Sequence, residues 1–192
     1  MRKFAQKEKD ILETAYTLFK RNSFLRIGVD RIIADSVVAK MTFYKYFPSK
    51  DHLILDCLKY EVFNIQNALK SRIFDAKPNG NLACLQTIYN WHLEQVSELD
   101  YRSNLIIKSS IELTHVPEAR LIIAEYNAWL FEVLSTLLED LHITDKTIPK
   151  VIFNLLSGIL LPTSLYLPQW EDIERLITAS CPIHNDNLCV VQ

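Results

Sequence analysis

Glycine is scarce in this sequence, with only three residues among 192. The phosphate-binding loops of nucleotide enzymes depend on glycine, because the backbone there adopts conformations that other residues avoid. No such loop occurs, and neither does a GxSxG elbow, an HExxH motif or a close pair of carboxylates on a predicted helix. The sequence therefore gives no support to an enzyme, and we expect no catalytic residue and no cofactor.

Cysteine is also sparse and widely dispersed. The four cysteines, at positions 57, 84, 181 and 189, form neither a CxxC pair nor a cluster with histidine. Zinc sites need closely spaced ligands and a reducing cytoplasm disfavours disulfides, so we predict neither a metal site nor a disulfide. Cys57 and Cys84 fall among apolar residues and are expected to pack as small hydrophobic side chains, with a redox-sensing role as the alternative.

Long uncharged apolar stretches are missing as well. No run of about 18 such residues is present, and the first residues, Met-Arg-Lys-Phe-Ala-Gln-Lys, do not have the composition of a secretory signal. We therefore expect a soluble, cytoplasmic protein with no membrane partner. Its 49% apolar content is sufficient for a hydrophobic core.

Apolar residues recur at helical spacing along the chain, and no sustained alternation supports a strand. Pro162 should kink or end the helix that contains it, because proline lacks a backbone N–H. The pattern predicts an all-α fold with a frayed tail at 182–192. Predicted helices cover about 3–21, 28–35, 39–46, 48–74, 82–98, 103–114, 118–141, 147–167 and 171–180.

Charge is divided unevenly between the two ends of the chain. Residues 1–50 hold eleven Lys and Arg against five Asp and Glu, whereas residues 51–192 hold ten against eighteen. The overall charge of −2 hides this division. A basic N-terminal part on an acidic remainder is typical of a protein that binds a polyanion and has a second function elsewhere.

The stretch 40–53 reads Lys-Met-Thr-Phe-Tyr-Lys-Tyr-Phe-Pro-Ser-Lys-Asp-His-Leu. Lysines and tyrosines on an exposed helix reach phosphate oxygens, and a following helix N-terminus offers free backbone N–H groups. The two short predicted helices at 28–35 and 39–46 are joined by a tight turn. This is the arrangement of a helix-turn-helix that places its second helix in the major groove of double-stranded DNA.

With a helix before it and a long helix after it, this segment resembles the DNA-binding domain of the TetR/AcrR family of transcriptional regulators. The resemblance covers residues 7–58 and implies a three-helix DNA-binding domain over 1–50, with the start of the connecting helix to about 58. It also implies a larger helical ligand-binding and dimerisation domain over 51–181. The residues that carry it are Ile11-Leu12-x-x-Ala15-x-x-Leu18-Phe19, Val29-x-x-Ile32 and Thr42-Phe43-Tyr44-x-Tyr46-Phe47-x-Ser49-Lys50-x-x-Leu53.

The resemblance implies that the start of the 39–46 helix reaches base edges and that later positions hold phosphates. Phe43 and Phe47 are expected to face the core. The alternative for the tyrosines is that they only cap that core. The expected DNA-contacting residues are Lys40, Met41 and Thr42 at bases, Tyr44, Tyr46 and Lys50 at phosphates, and the exposed Lys45 beside them.

Several positions depart from the family pattern. Val37 stands where the turn usually has glycine, and a β-branched residue resists positive φ. Ala39 replaces a capping serine or threonine, at a cost of about 1 kcal/mol. Gly28 removes a hydroxyl at the start of the second helix, and an exposed Asp30 would repel phosphate. The nearby basic residues Arg2, Lys3, Arg26 and Arg31 offer compensating charge.

The acidic remainder is expected to dimerise and to bind a small molecule. The apolar helices at 118–141 and 147–167 are the predicted dimer interface, although their stripes also suit the core of a single chain. The resemblance implies a ligand pocket in the helices after residue 80. Aromatic faces with a few polar groups suit such a pocket, and the candidate lining residues are Tyr89, Trp91, His92, Tyr126 and Trp129.

Together these features predict a ligand-responsive repressor that binds a palindromic operator as a homodimer and is released by an unidentified small-molecule effector. The alternative is a helical protein-interaction module with a degenerate DNA-binding head. That alternative explains Val37 and Ala39, but it does not explain the charge division or the motif at 42–50.

Overall fold

The computed structural model describes residues 5–97, 104–161 and 167–181, and every regular element in these ranges is helical. The all-α prediction is confirmed. Single 3-10 turns at Phe24–Arg26 and Lys77–Asn79 complete the described elements. The α-helices are α1 Gln6–Arg21, α2 Val29–Asp35, α3 Lys40–Tyr46, α4 Lys50–Ala76, α5 Asn81–Ser97, α6 Leu105–Glu112, α7 Pro117–Glu139, α8 Thr147–Ile159 and α9 Trp170–Ala179.

The predicted helix at 147–167 is too long. Helix α8 ends at Ile159, and Leu160 and Leu161 form a turn. Leu161 precedes a proline, which disfavours helical backbone angles in the residue before it. Residues 162–166 and the predicted tail at 182–192 lie outside the described residues.

The chain divides into two compact units. The first, called here the head unit, comprises Met1–Gln66 and Asp100–Glu125, and the second, the body unit, comprises Asn67–Leu99 and Tyr126–Gln192. Of the three divisions, those after Gln66 and Glu125 fall within α4 and α7, and α6 belongs to the head unit. The predicted domain boundary near residue 50 remains a prediction, because contact density does not report which segment folds on its own.

The head unit is built around a core shared by α1, α2 and α3, which contact one another pairwise. Their apolar residues recur three and four positions apart, so each helix turns one apolar face inward. Phe43 and Phe47 are fully buried, which confirms their expected inward orientation. Other fully buried members of this core are Ile11, Ala15, Phe19, Ile32, Leu53, Cys57 and Leu58.

The body unit packs α5 against α8 and α9, and α8 also contacts α9. Tyr89 of α5 donates its hydroxyl to the carbonyl of Pro168 at 2.7 Å. Its ring centroid lies 5.7 Å from that of Trp170 at the start of α9. The buried apolar side chains of this unit include Ile88, Leu134, Leu138, Ile152, Leu156 and Ile159.

Helix α7 is the one helix among the described residues that is long and apolar enough to cross a membrane by length and composition. Core helices of soluble proteins meet the same criterion. Glutamates at 118, 125, 132 and 139 recur every seventh residue, and all four are exposed. Since seven residues make about two helical turns, these carboxylates line one face, and placing them in lipid would be costly.

Two of the cysteines occupy apolar surroundings. Cys57 and Cys84 are buried, as expected for small hydrophobic side chains. Burial raises the pKa of both thiols, which keeps them in the unreactive protonated form. Cys181 is half-buried, and Cys189 lies outside the described residues.

Candidate nucleic-acid interface

The turn between α2 and α3 places a valine in a left-handed backbone conformation. Val37 has φ 53°, and its side chain is 90% exposed. The Val37 N–H donates a hydrogen bond to the Ala34 carbonyl at 3.3 Å, and the Val38 N–H donates one to the Ile33 carbonyl at 3.4 Å. This pair of bonds is a Schellman motif, whose left-handed position normally holds glycine. Valine there carries a strain of roughly 1–2 kcal/mol.

Helix α3 begins without a side-chain cap. Ala39 is the N-cap residue, with φ −70° and ψ 146°, and no side chain accepts a hydrogen bond from the first turn. The backbone carbonyl of Ala39 still accepts the N–H groups of Thr42 and Phe43, at 2.8 and 3.1 Å. The sequence prediction that Ala39 leaves this helix without a side-chain cap is therefore confirmed.

The residues of α3 divide into an inward and an outward set. Phe43 is fully buried, whereas Met41 is 87% and Tyr44 is 44% exposed. Lys40 and Lys45 are exposed, and Thr42 and Tyr46 are half-buried. The Tyr44 ring meets Phe43 edge-on with centroids 5.2 Å apart, and the Lys45 Nζ lies 5.6 Å from the centroid of Tyr46.

The seventh predicted contact residue, Lys50, is half-buried and opens α4. The residue before it, Ser49, caps this helix because its Oγ accepts the N–H of His52 at 3.2 Å. The structure thus brings six of the seven predicted residues onto α3 and the last onto the first turn of the next helix.

Acidic side chains occupy part of the same surface. Asp30 of α2 lies with its Oδ1 3.7 Å from the Nζ of Lys40, and both side chains are exposed. Arg31, one of the proposed compensating charges, pairs with Asp35 through an Nε–Oδ2 distance of 2.6 Å. Exposed pairs of this kind contribute about 0–1 kcal/mol, so a phosphate can take the place of Asp30 at Lys40 or of Asp35 at Arg31.

Helix α6 holds the end of α1 from within the head unit. The Lys108 ammonium donates to the carbonyl of Phe19, and to that of Asn22 at 2.9 Å. One turn later, Glu112 Oε2 accepts the Ser23 hydroxyl at 2.8 Å and the Phe24 N–H at 2.9 Å. A helix leaves its last carbonyls without intrahelical partners, and a cation there also suits the helix dipole. We call Lys108 and Glu112 the α6 clamp.

A second polar link lies inside the head unit. Glu61 of α4 is 4% exposed and accepts a hydrogen bond from the Tyr16 hydroxyl of α1. The Lys20 Nζ lies 4.0 Å from the other carboxylate oxygen. Burial, followed by the Glu61 charge, raises the pKa of Tyr16 well above its ordinary value. The phenol therefore stays neutral, and its hydrogen bond to Glu61 ties α4 to α1.

Sequence reasoning missed both links. The α6 clamp joins residues 86 to 89 positions apart, and the Tyr16–Glu61 bond spans 45. Helical periodicity reports only which face of a helix is apolar, so it does not pair polar groups across such separations. The available signal was the presence of charged residues on short apolar helices, and it does not identify their partners.

The candidate ligand residues lie in the body unit. Tyr89, Trp91 and His92 of α5 and Tyr126 of α7 are buried, whereas Trp129 is half-buried. The Tyr126 and Trp129 rings lie 6.0 Å apart, with the Lys70 Nζ 5.8 Å from the Trp129 centroid. Their role at a ligand stays a prediction.

His92 is the most enclosed of these candidates, with 1% of its surface exposed. Its Nδ1–H donates to the Ile88 carbonyl at 2.8 Å. Burial disfavours the imidazolium and lowers the pKa of His92 to about 4, against which the Ile88 bond acts weakly. The side chain is consequently neutral at physiological pH.

A groove of about 750 Å³ lies elsewhere in the body unit, which is within the size range of small-molecule sites. None of the five candidate ligand residues lines it. Its walls come from the end of α7, the α7–α8 connection and the start of α8. The lining residues are Phe131, Glu132, Ser135, Glu139, His142, Ile143, Thr144, Asp145, Lys146, Pro149 and Lys150. Within the described part of the chain, no three His, Cys, Asp or Glu side chains are grouped to hold a metal ion.

Part of this chain is similar in sequence to known proteins. The family model described as "Bacterial regulatory proteins, tetR family" matches residues 11–57. The HTH-type transcriptional regulator YuxN of Bacillus subtilis strain 168 is 42% identical over 55 residues, which are 29% of this chain and 19% of YuxN. The chain therefore matches less than a fifth of the length of that relative.

Solved structures resemble the chain over nearly its whole length. Reduced NemR of E. coli has a TM-score of 0.70 at 19% identity, and the alignment covers 92% of this chain and 95% of NemR. The regulator SAV143 of Streptomyces avermitilis has a TM-score of 0.72 at 17% identity, and the alignment covers 94% of this chain and 100% of SAV143. FadR of Bacillus halodurans, a fatty acid degradation regulator, has a TM-score of 0.65 at 16% identity, and the alignment covers 94% of this chain and 97% of FadR. At these identities the likeness shows the fold.

Proposed function

We propose that the chain is a ligand-responsive transcriptional repressor of the TetR family of bacterial regulatory proteins, whose family model matches residues 11–57. It binds a palindromic operator as a homodimer and is released by a small molecule. Its relatives are transcriptional regulators and not enzymes, which agrees with the missing catalytic motifs. A cytoplasmic location, without a membrane partner, is part of the proposal.

The observation that carries the proposal is the outward face of α3. Fully buried Phe43 and Phe47 fix the helix on the core, and Lys40, Met41, Tyr44 and Lys45 are exposed on its other side. In this assignment Lys40, Met41 and Thr42 meet base edges, while Tyr44, Lys45 and Tyr46 meet the phosphate backbone with Lys50. Tyr46 and Lys50 are half-buried, so neither is enclosed in the core.

Dimerisation is proposed through α7 and α8. Leu121 of α7 is 63% exposed and Val151 of α8 is 37% exposed, and both are large apolar side chains. The Phe131 and Phe153 rings join the two helices edge-on, with centroids 6.0 Å apart. An added Cβ at Gly158 would meet no atom within 4 Å, so this stretch of α8 has room for a close neighbour.

Only part of the predicted apolar stripes is available to a partner. Leu130, Leu134 and Leu138 of α7 and Ile152 and Leu156 of α8 are buried within the single chain. The alternative reading of the stripes, that they fill the monomer core, therefore holds for these positions. The proposed interface uses the residues between them.

Ligand release is proposed to act by population shift. A homodimer on a palindrome must hold its two recognition helices about one DNA turn apart, roughly 34–36 Å. A ligand that favours another spacing lowers operator affinity, and a factor of 100 requires only about 2.7 kcal/mol of differential binding. Within the head unit, the α6 clamp is the proposed point at which a shift of α6 reaches α1 and the following turn.

Selection of bound sequences from a random DNA pool tests the proposal. The full chain is used at near-physiological salt with excess unrelated DNA, because competitor separates specific from salt-sensitive non-specific binding. The expected result is a palindrome with half-sites about one helical turn apart. A dimeric protein that enriches no sequence would instead favour the interaction-module alternative.

A further inference from the structure

Two large apolar side chains stand in solvent at the DNA-facing end of the head unit. Val37, in the turn before α3, is 90% exposed, and Met41, in the first turn of α3, is 87% exposed. Neither contributes to the core. At position 37 the backbone would be relieved by glycine, yet a branched apolar side chain occupies it.

The polar side chain beside them, Lys40, is paired with Asp30. Lys40 lies between these two residues in sequence, and its Nζ is 3.7 Å from Asp30 Oδ1. A guanine that accepts a hydrogen bond from Lys40 must compete with that carboxylate. That competition is weak, because an exposed pair contributes about 0–1 kcal/mol. Val37 and Met41 have no such competitor, so any contact that they make with an apolar base group adds to the discrimination by Lys40.

The C5-methyl group of thymine is the one apolar group larger than a C–H on the major-groove edges of the four bases. On the basis of the proposed function, we infer that Val37 and Met41 read thymine methyl groups in each operator half-site, beside the base that Lys40 contacts. The occupant of this apolar surface is therefore DNA, in continuity with the α3 interface, and the operator is specified partly by methyl groups.

Replacement of thymine by uracil tests this directly, because uracil lacks the methyl group and keeps every hydrogen-bonding atom. The operator recovered from the random pool is resynthesised with one thymine at a time changed to uracil, symmetrically in both half-sites. Affinity is measured by fluorescence anisotropy at constant salt. At one or two positions the wild-type protein is expected to lose about 3- to 5-fold per methyl group, the factor for one buried CH₂ or CH₃ unit.

Two variants show whether Val37 and Met41 cause the loss of affinity for the uracil operators. Met41→Ala and Val37→Gly are expected to bind the thymine and uracil operators equally well, each at the position it contacts. Neither should unfold the head unit, because both positions are exposed and glycine suits the backbone at 37. Leu25→Ala is the matched control, since Leu25 is equally exposed at 87% but lies outside the turn and α3.

The outcomes separate this inference from the function on which it rests. Specific operator binding that no uracil substitution weakens would overturn the methyl readout and leave the repressor proposal intact. A uracil effect that survives in both variants would also overturn it, because another residue would then read the methyl group. Failure to enrich any operator would overturn the proposed function and this inference together.

Discussion

The head unit and the body unit are both helical, but they distribute their candidate functional residues differently. In the head unit these residues fall within positions 40–50 and mostly face solvent. In the body unit the ligand candidates are divided between α5 and α7, and all but Trp129 are buried. A surface that meets a regular polymer can be encoded in one helix, whereas a pocket is assembled from distant segments.

The two units also differ in where they carry unfavourable features. The head unit has a strained exposed turn at Val37 and an uncapped helix at Ala39. The body unit has a left-handed non-glycine residue at His142, with φ 61°, and buries His92, whereas the head unit buries Glu61. Burial lowers the pKa of His92 to about 4, so a fall in pH should act on the body.

The largest expected effect is a selective loss of body stability in acid. The pKa of His92 is about 4 in the folded chain and about 6.5 when unfolded. Because the unfolded state binds more protons between these values, stability should fall as pH drops from about 6.5 to 4, by roughly 3 kcal/mol. The three tryptophans, at 91, 129 and 170, all belong to the body unit, so urea titrations followed by tryptophan fluorescence report this loss.

His92→Phe removes the titration and should flatten this pH dependence. His115→Phe, at an exposed histidine of the head unit, is the matched control and should leave it unchanged. An equal pH dependence in the wild type and in His92→Phe would show that another group governs acid unfolding of the body.

Removal of the α6 clamp should weaken the head and spare the body. Lys108→Met deletes a charged donor to the carbonyls of Phe19 and Asn22, a loss of about 1.5–3 kcal/mol for hydrogen bonds of this kind. DNA affinity should fall, while the tryptophan-detected unfolding of the body stays the same. Lys59→Met is the control, because Lys59 makes only an exposed pair with Asp56 at 3.1 Å. If Lys108→Met bound DNA as tightly as the wild type, the α6 clamp would not contribute to DNA binding.

Loss of two phosphate contacts should weaken binding to every DNA sequence alike. The double variant Tyr44→Phe, Lys50→Ala is expected to bind about 10-fold more weakly, with the slope of log affinity against log salt reduced by about 1. Sedimentation should show an unchanged dimer. Lys150→Ala, an exposed lysine of the body unit, serves as the control. A change confined to the operator would mean that these residues read bases.

The smallest expected effect is a gain in head stability. Ala39→Ser supplies the missing cap of α3 and should stabilise the head by about 1 kcal/mol. Ala34→Ser, at an exposed position within α2, should give no gain, because serine is a poorer helix former than alanine. Differential scanning calorimetry compares the two variants, and equal melting temperatures would argue against an uncapped α3.

Much of the head could be predicted because its information is local. Helical spacing located α1 to α4 and the inward Phe43 and Phe47, and the departure at Val37 correctly identified a strained turn. The α6 clamp and the Glu61 carboxylate could not be predicted, since each depends on a fold that brings distant segments together. The end of α8 was misplaced because a continuous apolar stripe outweighed the proline at 162.

The body could be predicted only as helices. Aromatic residues at helical spacing suit a pocket and a packed core equally, and burial alone distinguishes neither role for Tyr89 or Trp91. The groove at the end of α7 is lined by polar and apolar residues from a connection, where periodicity carries no signal.

The proposal that a homodimer reads the two halves of one palindromic operator requires a fixed spacing between its two DNA-binding helices. Insertion of five base pairs at the centre of the selected palindrome rotates one half-site by about half a turn, since a full turn is about 10–10.5 base pairs. Sedimentation and anisotropy with the two DNAs measure this most directly. The account predicts two chains on the original operator and only non-specific affinity for the lengthened one; equal affinity for both DNAs would contradict it.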